Sequence, residues 1–223
     1  MKTIVAVLAG MMAMTGVAQA QTRPAAAAPQ GADDSVGYVE GIAQSAFGNV
    51  TSQSFGAEAG YRLGKRLHVF VEVGRARDTA PKSIGAAAQI IAGYLTRVQT
   101  APVTFSVKQP FAFGIAGIRY GVPYSERLEP YVVGGVGIAR VTRDVGFTVG
   151  GADVTNTIAT YGVALGSDLS GTEDKLMISA GGGVVYKLKS SIFFDAGYRY
   201  GHALTDGGST TVNRVGLGVG LRF

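Results

Sequence analysis

Apolar and polar residues alternate with a period of two along most of the chain from about residue 36 onward. In the stretch "SFGAEAGYRL", every second side chain is apolar and the remaining ones are small or charged. One face carries Phe55, Ala57, Ala59, Tyr61 and Leu63, and the other carries Ser54, Gly56, Glu58, Gly60 and Arg62. The final stretch "NRVGLGVGLRF" has the same form. This pattern predicts β-strands whose two faces meet different surroundings.

Clusters of Gly, Asn, Asp and Pro separate the alternating segments and divide them into strands. The predicted strands are 36–46, 52–63, 66–76, 108–121, 128–141, 176–188, 191–200 and 213–223. Most are close to the roughly 9–11 residues that a tilted strand needs to cross a bilayer. The alternation is weaker in the first, fourth and fifth strands, so the sequence leaves open which of their faces points outward.

The connections between the strands alternate in length, except at the first hairpin. The short ones are 63–66, 121–129 and 188–191, and the long ones are 77–107, 142–175 and 201–212. Short turns at one end and long loops at the other are typical of an up-and-down barrel in an outer membrane. We therefore predict an all-β fold, an eight-stranded antiparallel transmembrane β-barrel with periplasmic turns, extracellular loops and short helices in those loops.

The polar face of the strands favours a membrane barrel over a soluble periplasmic ligand-binding barrel, whose apolar face would lie inside. This face mixes Gly with Glu, Asp and Arg, whereas a water-facing surface would carry Lys, Thr and Ser. Gly next to long charged side chains suits a narrow lumen, and charges removed from water need partners. We therefore predict a network of ion pairs in the lumen. Its predicted members are Glu58, Glu72, Asp195, Arg62, Arg199, Arg214 and Arg222.

The ends of the predicted strands repeatedly place an aromatic residue next to a basic one. The pairs are Tyr61-Arg62, Arg119-Tyr120, Tyr186-Lys187 and Arg222-Phe223, with the aromatic on the lipid face and the base in the lumen. The chain has no Trp, so Tyr and Phe must form any aromatic girdle at the membrane interfaces. The predicted girdle is Tyr61, Tyr120, Tyr186, Tyr198, Tyr200 and Phe223.

The first twenty residues, "MKTIVAVLAGMMAMTGVAQA", combine Lys2, an apolar run and a small-residue Ala-Gln-Ala ending. This predicts a Sec signal peptide over 1–20, because the run is shorter than the roughly 20 apolar residues of a spanning helix; an N-terminal membrane anchor is the alternative. Residues 21–34 are rich in Ala and Pro and predict a flexible linker, and the barrel takes 35–223. The chain has no Cys and no Lys/Arg run, so we expect neither disulfides nor a nucleic-acid partner.

The repeated "GYR" and the terminal "VGLGVGLRF", together with the signal peptide and the eight strands, resemble the outer-membrane β-barrel family of OmpA-type, OmpX-type and opacity-antigen proteins. The resemblance covers nearly the whole mature chain. It implies that the last strand, with Val219, Leu221 and Phe223, is the tag that the barrel-assembly machinery recognises. It does not imply one activity, because members serve as structural links, adhesins, host-factor binders or enzymes. We expect no peptidoglycan-binding domain of the kind that follows the barrel in full OmpA proteins.

Few residues offer catalytic chemistry. His202 in "GYRYGHALTD" resembles the "RYxHxSN" stretch of lipid A 3-O-deacylases, in which the His and a Ser two residues later are base and nucleophile. Leu204 stands at the Ser position, and Thr205 would point to the opposite face of an extended strand. His68 shares a face with Glu72 and is expected in the lumen with a structural role. We expect a non-enzymatic protein without metal or cofactor, with a lipid A deacylase as the alternative.

The long loops 77–107 and 142–175 carry the remaining functional content. The segment 83–98 predicts an amphipathic helix capped by Ser83, "DVGFTVGGADVTNT" predicts a hairpin turning at Gly150-Gly151, and 159–170 predicts a second short helix. The apolar face predicted for the first helix is Ile84, Ala88, Ile91, Leu95 and Val98. Such faces either pack against each other or bind a partner. We expect a monomer with an envelope-structural or surface-interaction role that contacts outer-membrane lipid, lipopolysaccharide, the assembly machinery and an extracellular partner.

Overall fold

The computed structural model describes residues 35–47, 50–122, 124–188, 191–204 and 210–223. The predicted signal peptide and linker lie outside the described residues, as do the first hairpin turn and Thr205. The elements are β1 (Gly37–Phe47), β2 (Ser52–Arg62), β3 (Leu67–Ala76), α1 (Lys82–Val98), β4 (Val103–Lys108), β5 (Phe111–Gly121), β6 (Leu128–Val149), β7 (Ala152–Asp153), the 3-10 helix η1 (Thr155–Tyr161), β8 (Ser170–Lys187), β9 (Ile192–Ala203) and β10 (Thr210–Arg222).

Eight of these strands form a closed barrel in which every neighbouring pair is antiparallel. Their order around the barrel is β1, β2, β3, β5, β6, β8, β9 and β10, and β10 pairs back onto β1. The closing ladder runs from Tyr38 opposite Arg222 to Phe47 opposite Asn213. Because the first and last strands pair, the barrel has no free edge. The predicted eight-stranded antiparallel barrel is confirmed.

The bounds of six barrel strands lie within about three residues of the prediction, whereas β6 and β8 are longer. Strand β6 runs for 22 residues to Val149, and β8 begins at Ser170. The two pair along this length as far as Asp144 opposite Ser170. Above the membrane the surroundings of each face change, so the apolar alternation that marks a spanning strand ends earlier than the strand itself.

The structure assigns the facing of the three strands that the sequence left open. In β1, β5 and β6 the lumen residues are Tyr38, Glu40, Ile42, Gln44, Ala46, Phe111, Phe113, Ile115, Arg119, Tyr131, Val133, Ala139 and Val141. Large apolar side chains fill the extracellular half of the lumen, so both faces of these strands are apolar there and the alternation is weak. Glycines opposite large rings make the room: a Cβ on Gly60 would collide with the Tyr38 ring, and one on Gly220 with the Phe193 ring.

A second core lies above the barrel and is called the cap, formed by 82–108 and 142–169. Its sheet consists of β4 and β7 paired to the extension of β6, and α1 and η1 pack against the face that continues the lumen side of β6. The buried cap residues are Ile84, Ala88, Ala92, Leu95, Val145, Phe147, Val154, Ile158 and Leu169. The predicted hairpin at Gly150-Gly151 is confirmed, with φ of 60° and 86° at the two glycines.

Helix α1 begins one residue before its predicted start, and three details of the cap prediction are wrong. Ser83 is not the cap: the N-cap is Pro81, without a side-chain hydrogen bond. Val98 is 49% exposed, and Ala92 takes its place on the buried face. The second helix is a 3-10 helix that begins four residues before the predicted 159–170 segment and ends at Tyr161.

Candidate functional sites in the lumen, at the outer rim and in the cap

Arg119 is the centre of a buried network in the periplasmic half of the lumen. Its guanidinium donates to Asp195 Oδ2 at 2.8 Å, to Glu58 Oε1 at 3.2 Å and to the Tyr38 hydroxyl at 3.3 Å. It also lies over the Tyr131 ring, 3.6 Å from the ring centroid. The Tyr131 hydroxyl donates to Asp195 Oδ1 at 2.8 Å, so both carboxylate oxygens are satisfied.

Arg199 and Arg214 extend this network toward the extracellular side. Arg199 donates to Glu58 Oε2 at 3.2 Å and lies 3.8 Å from Glu72, and Arg214 donates to Glu72 Oε1 at 2.6 Å. The Arg214 guanidinium lies 4.0 Å from the centroid of the Phe113 ring. All of these charged groups are buried, and each has an opposite charge or a ring as its partner.

The lumen is filled by these side chains. A cavity of ≈ 10 Å³ lies among Glu40, Tyr131, Arg199 and Gly218, which is room for about one water molecule. Above the network, Phe111, Phe113, Met177 and Val212 are buried, since they fill the extracellular half.

Five of the predicted network residues lie together in the lumen: Glu58, Glu72, Asp195, Arg199 and Arg214. Arg62 and Arg222 also face inward but lie at the periplasmic end, where Arg62 donates to Ser35 Oγ at 3.2 Å. The sequence prediction omitted Glu40, which lies 3.9 Å from Arg119, and it placed Arg119 in the lumen without assigning it to the network. Both residues lie on strands in which apolar and polar residues alternate weakly. The two-residue spacing of Tyr38 and Glu40, which puts them on the same face of an extended strand, was the signal available in the sequence.

The predicted girdle residues all point away from the lumen. The periplasmic set comprises Tyr61, Tyr120, Tyr186 and Phe223, which are 57%, 43%, 38% and 64% exposed. Tyr198 and Tyr200 lie on the outward face of β9 nearer the extracellular end, and the Tyr198 hydroxyl donates to Asn213 Oδ1 at 2.6 Å. The role of these rings at the membrane interface stays a prediction.

His202 lies on the outward face of β9 near the outer rim. Its ring stacks on Tyr200 at 6.4 Å between centroids, and Nδ1 lies 3.2 Å from Thr211 Oγ1 on the adjacent strand. Leu204, at the position of the deacylase serine, is 49% exposed, and within the described residues no carboxylate contacts His202. His68 faces the lumen, where its ring lies edge-to-face with Tyr38 at 5.8 Å between ring centroids.

Two charged pairs link the extracellular ends of β6 and β8: Arg140–Asp174 is exposed on the outward face, and Arg143–Glu173 is half-buried. Arg140 donates to both oxygens of Asp174 at 2.7 Å and 2.8 Å, and this hydrogen bonding lowers the pKa of Asp174. The hydrogen bond from Arg143 lowers the pKa of Glu173 in the same way, with Lys175 contributing less. Among the described residues no cluster of three His, Asp or Glu side chains could hold a metal ion.

No helix in the described part of the chain has the length and apolar character needed to cross a membrane.

The outward face of the strands carries a continuous band of exposed apolar side chains. Val73, Ile138, Leu176 and Leu217 belong to it and are 54%, 58%, 67% and 67% exposed. A monomeric soluble protein rarely exposes an apolar surface that encircles it, so this face is suited to lipid. The model of the outer membrane protein beta-barrel domain matches residues 3–223. The chain belongs to the outer membrane protein beta-barrel family.

Solved structures of outer-membrane barrels are similar to the chain. Neisserial surface protein A (NspA) has a TM-score of 0.55 and 19% identity, covering 85% of this chain and 98% of its own. The attachment invasion locus protein Ail of Yersinia pestis has a TM-score of 0.45 and 14% identity, covering 84% of this chain and 96% of its own. The outer membrane enzyme PagL has a TM-score of 0.43 and 10% identity, covering 83% of this chain and 99% of its own. The similarity to NspA shows the fold alone, whereas membership of the family indicates the bacterial outer membrane. Curated proteins provide no match.

Proposed function

We propose that the protein is exported by its signal peptide and acts as a non-enzymatic surface protein, whose cap binds an extended polypeptide segment outside the cell. The open edge of β4 supports this proposal. Strand β4 pairs with β6 on one side, and within the described ranges no strand pairs with its other side. Backbone groups along that edge are therefore available to an added strand, which is a common mode of peptide recognition.

Phe105 in the middle of β4 offers an anchor beside this edge. Val103 and Val107 pack against the cap core, whereas Phe105 remains 40% exposed. An exposed aromatic side chain flanked by unpaired backbone groups combines apolar contact with directional hydrogen bonding. The apolar faces of α1 and η1 are used to build the cap core, so they hold this edge in place.

A second copy in the same membrane is a poor partner for this edge. Two copies in one membrane would be related by an axis along the membrane normal. Strand β4 continues the ladder of β5 along β6, so β4 shares the barrel tilt of about 35–45° from that normal. The two β4 strands would then cross at roughly 70–90°, twice that tilt, which is too steep for a β-ladder. This geometry supports a monomer with a partner that approaches from outside.

The test uses full-length protein in lipid nanodiscs and a displayed library of random peptides. We expect selected peptides to alternate apolar residues and to lose about tenfold in affinity for the Phe105→Lys variant. The matched control is Val98→Lys, which changes an exposed apolar residue of α1. Equal binding by the Phe105→Lys variant would overturn the proposed site.

Deacylation is tested separately, because the outward position of His202 at the outer rim favours it. Lipid A from cells with and without the protein is compared by mass spectrometry. We expect identical acyl chains. A loss of one chain that disappears in His202→Ala would replace the proposed function with an enzymatic one.

A further inference from the structure

A row of outward-facing residues crosses five strands at the upper limit of the apolar band. Register places Phe55, Arg75, Ala112, Arg140 and Asp174 side by side on β2, β3, β5, β6 and β8. Directly below this row the outward residues are apolar, with Val73 and Ile138 on either side of Gly114. The two arginines therefore lie where the hydrocarbon layer gives way to lipid headgroups.

Arg75 has no anionic partner among the described residues, although it is exposed beside the lipid. Arg77, two residues above it, donates to Gln53 Oε1 at 3.2 Å and adds a second positive charge. Arg140 uses Nε and Nη2 for Asp174, which leaves Nη1 for another acceptor. The row thus keeps a positive surplus, and a guanidinium at this depth needs an acceptor from the membrane.

The spacing between the two arginines suits a single phosphate. Arg75 and Arg140 are two strands apart, or about 10 Å between Cα atoms at the usual strand spacing, and only the small Ala112 side chain lies between them. Arginine side chains from both sides can converge on one anion, for which the guanidinium fork is well matched.

We propose that Arg75 and Arg140 bind a phosphate of the glycolipid in the outer leaflet, namely lipopolysaccharide, with an acyl chain lying below it along β5. The β5 residues facing lipid there are small, and a Cβ on Gly114 would approach only Val73 Cγ1, at 4.0 Å. Phe55, which is 57% exposed next to Arg75, provides further apolar contact. This site lies on the barrel wall, apart from the β4 edge.

The test is native mass spectrometry of the full-length protein in detergent, with three probes: diphosphorylated lipid A, lipid A stripped of both phosphates, and inorganic phosphate. We expect the first probe to be retained about tenfold more than the second, the ratio expected from about one charge-assisted contact. Arg75→Gln should abolish this preference, Arg75→Lys should restore part of it, and Arg97→Gln on the outer face of α1 should leave it unchanged.

A second test leaves both arginines in place and fills the space in front of Gly114, where the acyl chain is proposed to lie. Gly114→Leu should weaken lipid A binding, whereas Gly41→Leu, at an outward position of β1 with open space around it, should not. Equal retention of the two lipids by the native chain, or an unchanged preference in Arg75→Gln, would overturn the proposal. Competition by millimolar inorganic phosphate alone would also overturn it, because the site would then bind free anions.

Discussion

Replacement of Arg119 by Met should destabilise the barrel more than any substitution of a surface arginine. The change removes the partner of Asp195 at 2.8 Å and of Glu58 at 3.2 Å in a layer where Arg119 is 5% exposed. Breaking a buried ion pair by removing one partner costs about 3–5 kcal/mol. Loss of the stacking on Tyr131 at 3.6 Å adds about 1–2 kcal/mol. Methionine partly refills the volume, so we expect a total of about 3–5 kcal/mol.

The free energy of unfolding is measured by urea titration in lipid vesicles, following tyrosine fluorescence and the shift in gel mobility on heating. Arg97→Met on α1 is the matched control and should change stability by less than about 0.5 kcal/mol. A double variant, Arg119→Met with Asp195→Leu, should cost less than the sum of the single changes, because each single change leaves a buried charge unpaired. A loss below about 1 kcal/mol for Arg119→Met, or additive single effects, would refute the role of this network.

Four further outcomes follow from the cap, the lumen and the terminus. Gly151→Val should loosen the cap hairpin by about 1 kcal/mol or more, since its φ of 86° disfavours a β-branched side chain; limited proteolysis then cleaves the cap faster, and unchanged cleavage contradicts the turn assignment. Gly60→Val should displace the Tyr38 ring from Glu58 and lower barrel stability in the same urea assay, whereas an unchanged midpoint would show that the lumen has spare room. Arg143 lowers the pKa of Glu173 in the folded protein. The pair therefore stabilises the cap at pH values above the unfolded pKa of about 4.3, and this contribution is lost as the pH falls through the lower pKa of the folded state. Proteolysis of the cap should rise over that pH range in the native chain and not in Glu173→Gln. Deletion of Phe223 should impair insertion into the outer membrane, seen as loss of the heat-dependent gel shift in membrane fractions, and normal assembly would contradict the proposed tag.

The sequence alone determined the number of barrel strands, their order and the outward face of most of them. Period-two alternation is a local property, and lipid imposes it on every spanning strand, so each segment such as 54–63 carried the signal independently. The turn at Gly150-Gly151 was equally local, because positive φ at both positions favours glycine. The helical period of its apolar residues predicted the start of α1 to within one residue.

Tertiary structure decided everything that depends on closing the sheet. Arg119, Glu58 and Asp195 come from three different strands, and only the register of the closed barrel brings them to a common point. The open edge of β4 exists because β3 ends at Ala76 while β6 continues to Val149, a difference invisible in either strand alone. Arg75 and Arg140 likewise become neighbours only through the shared row across β5, since pairing between strands is set by the whole barrel and by no single segment.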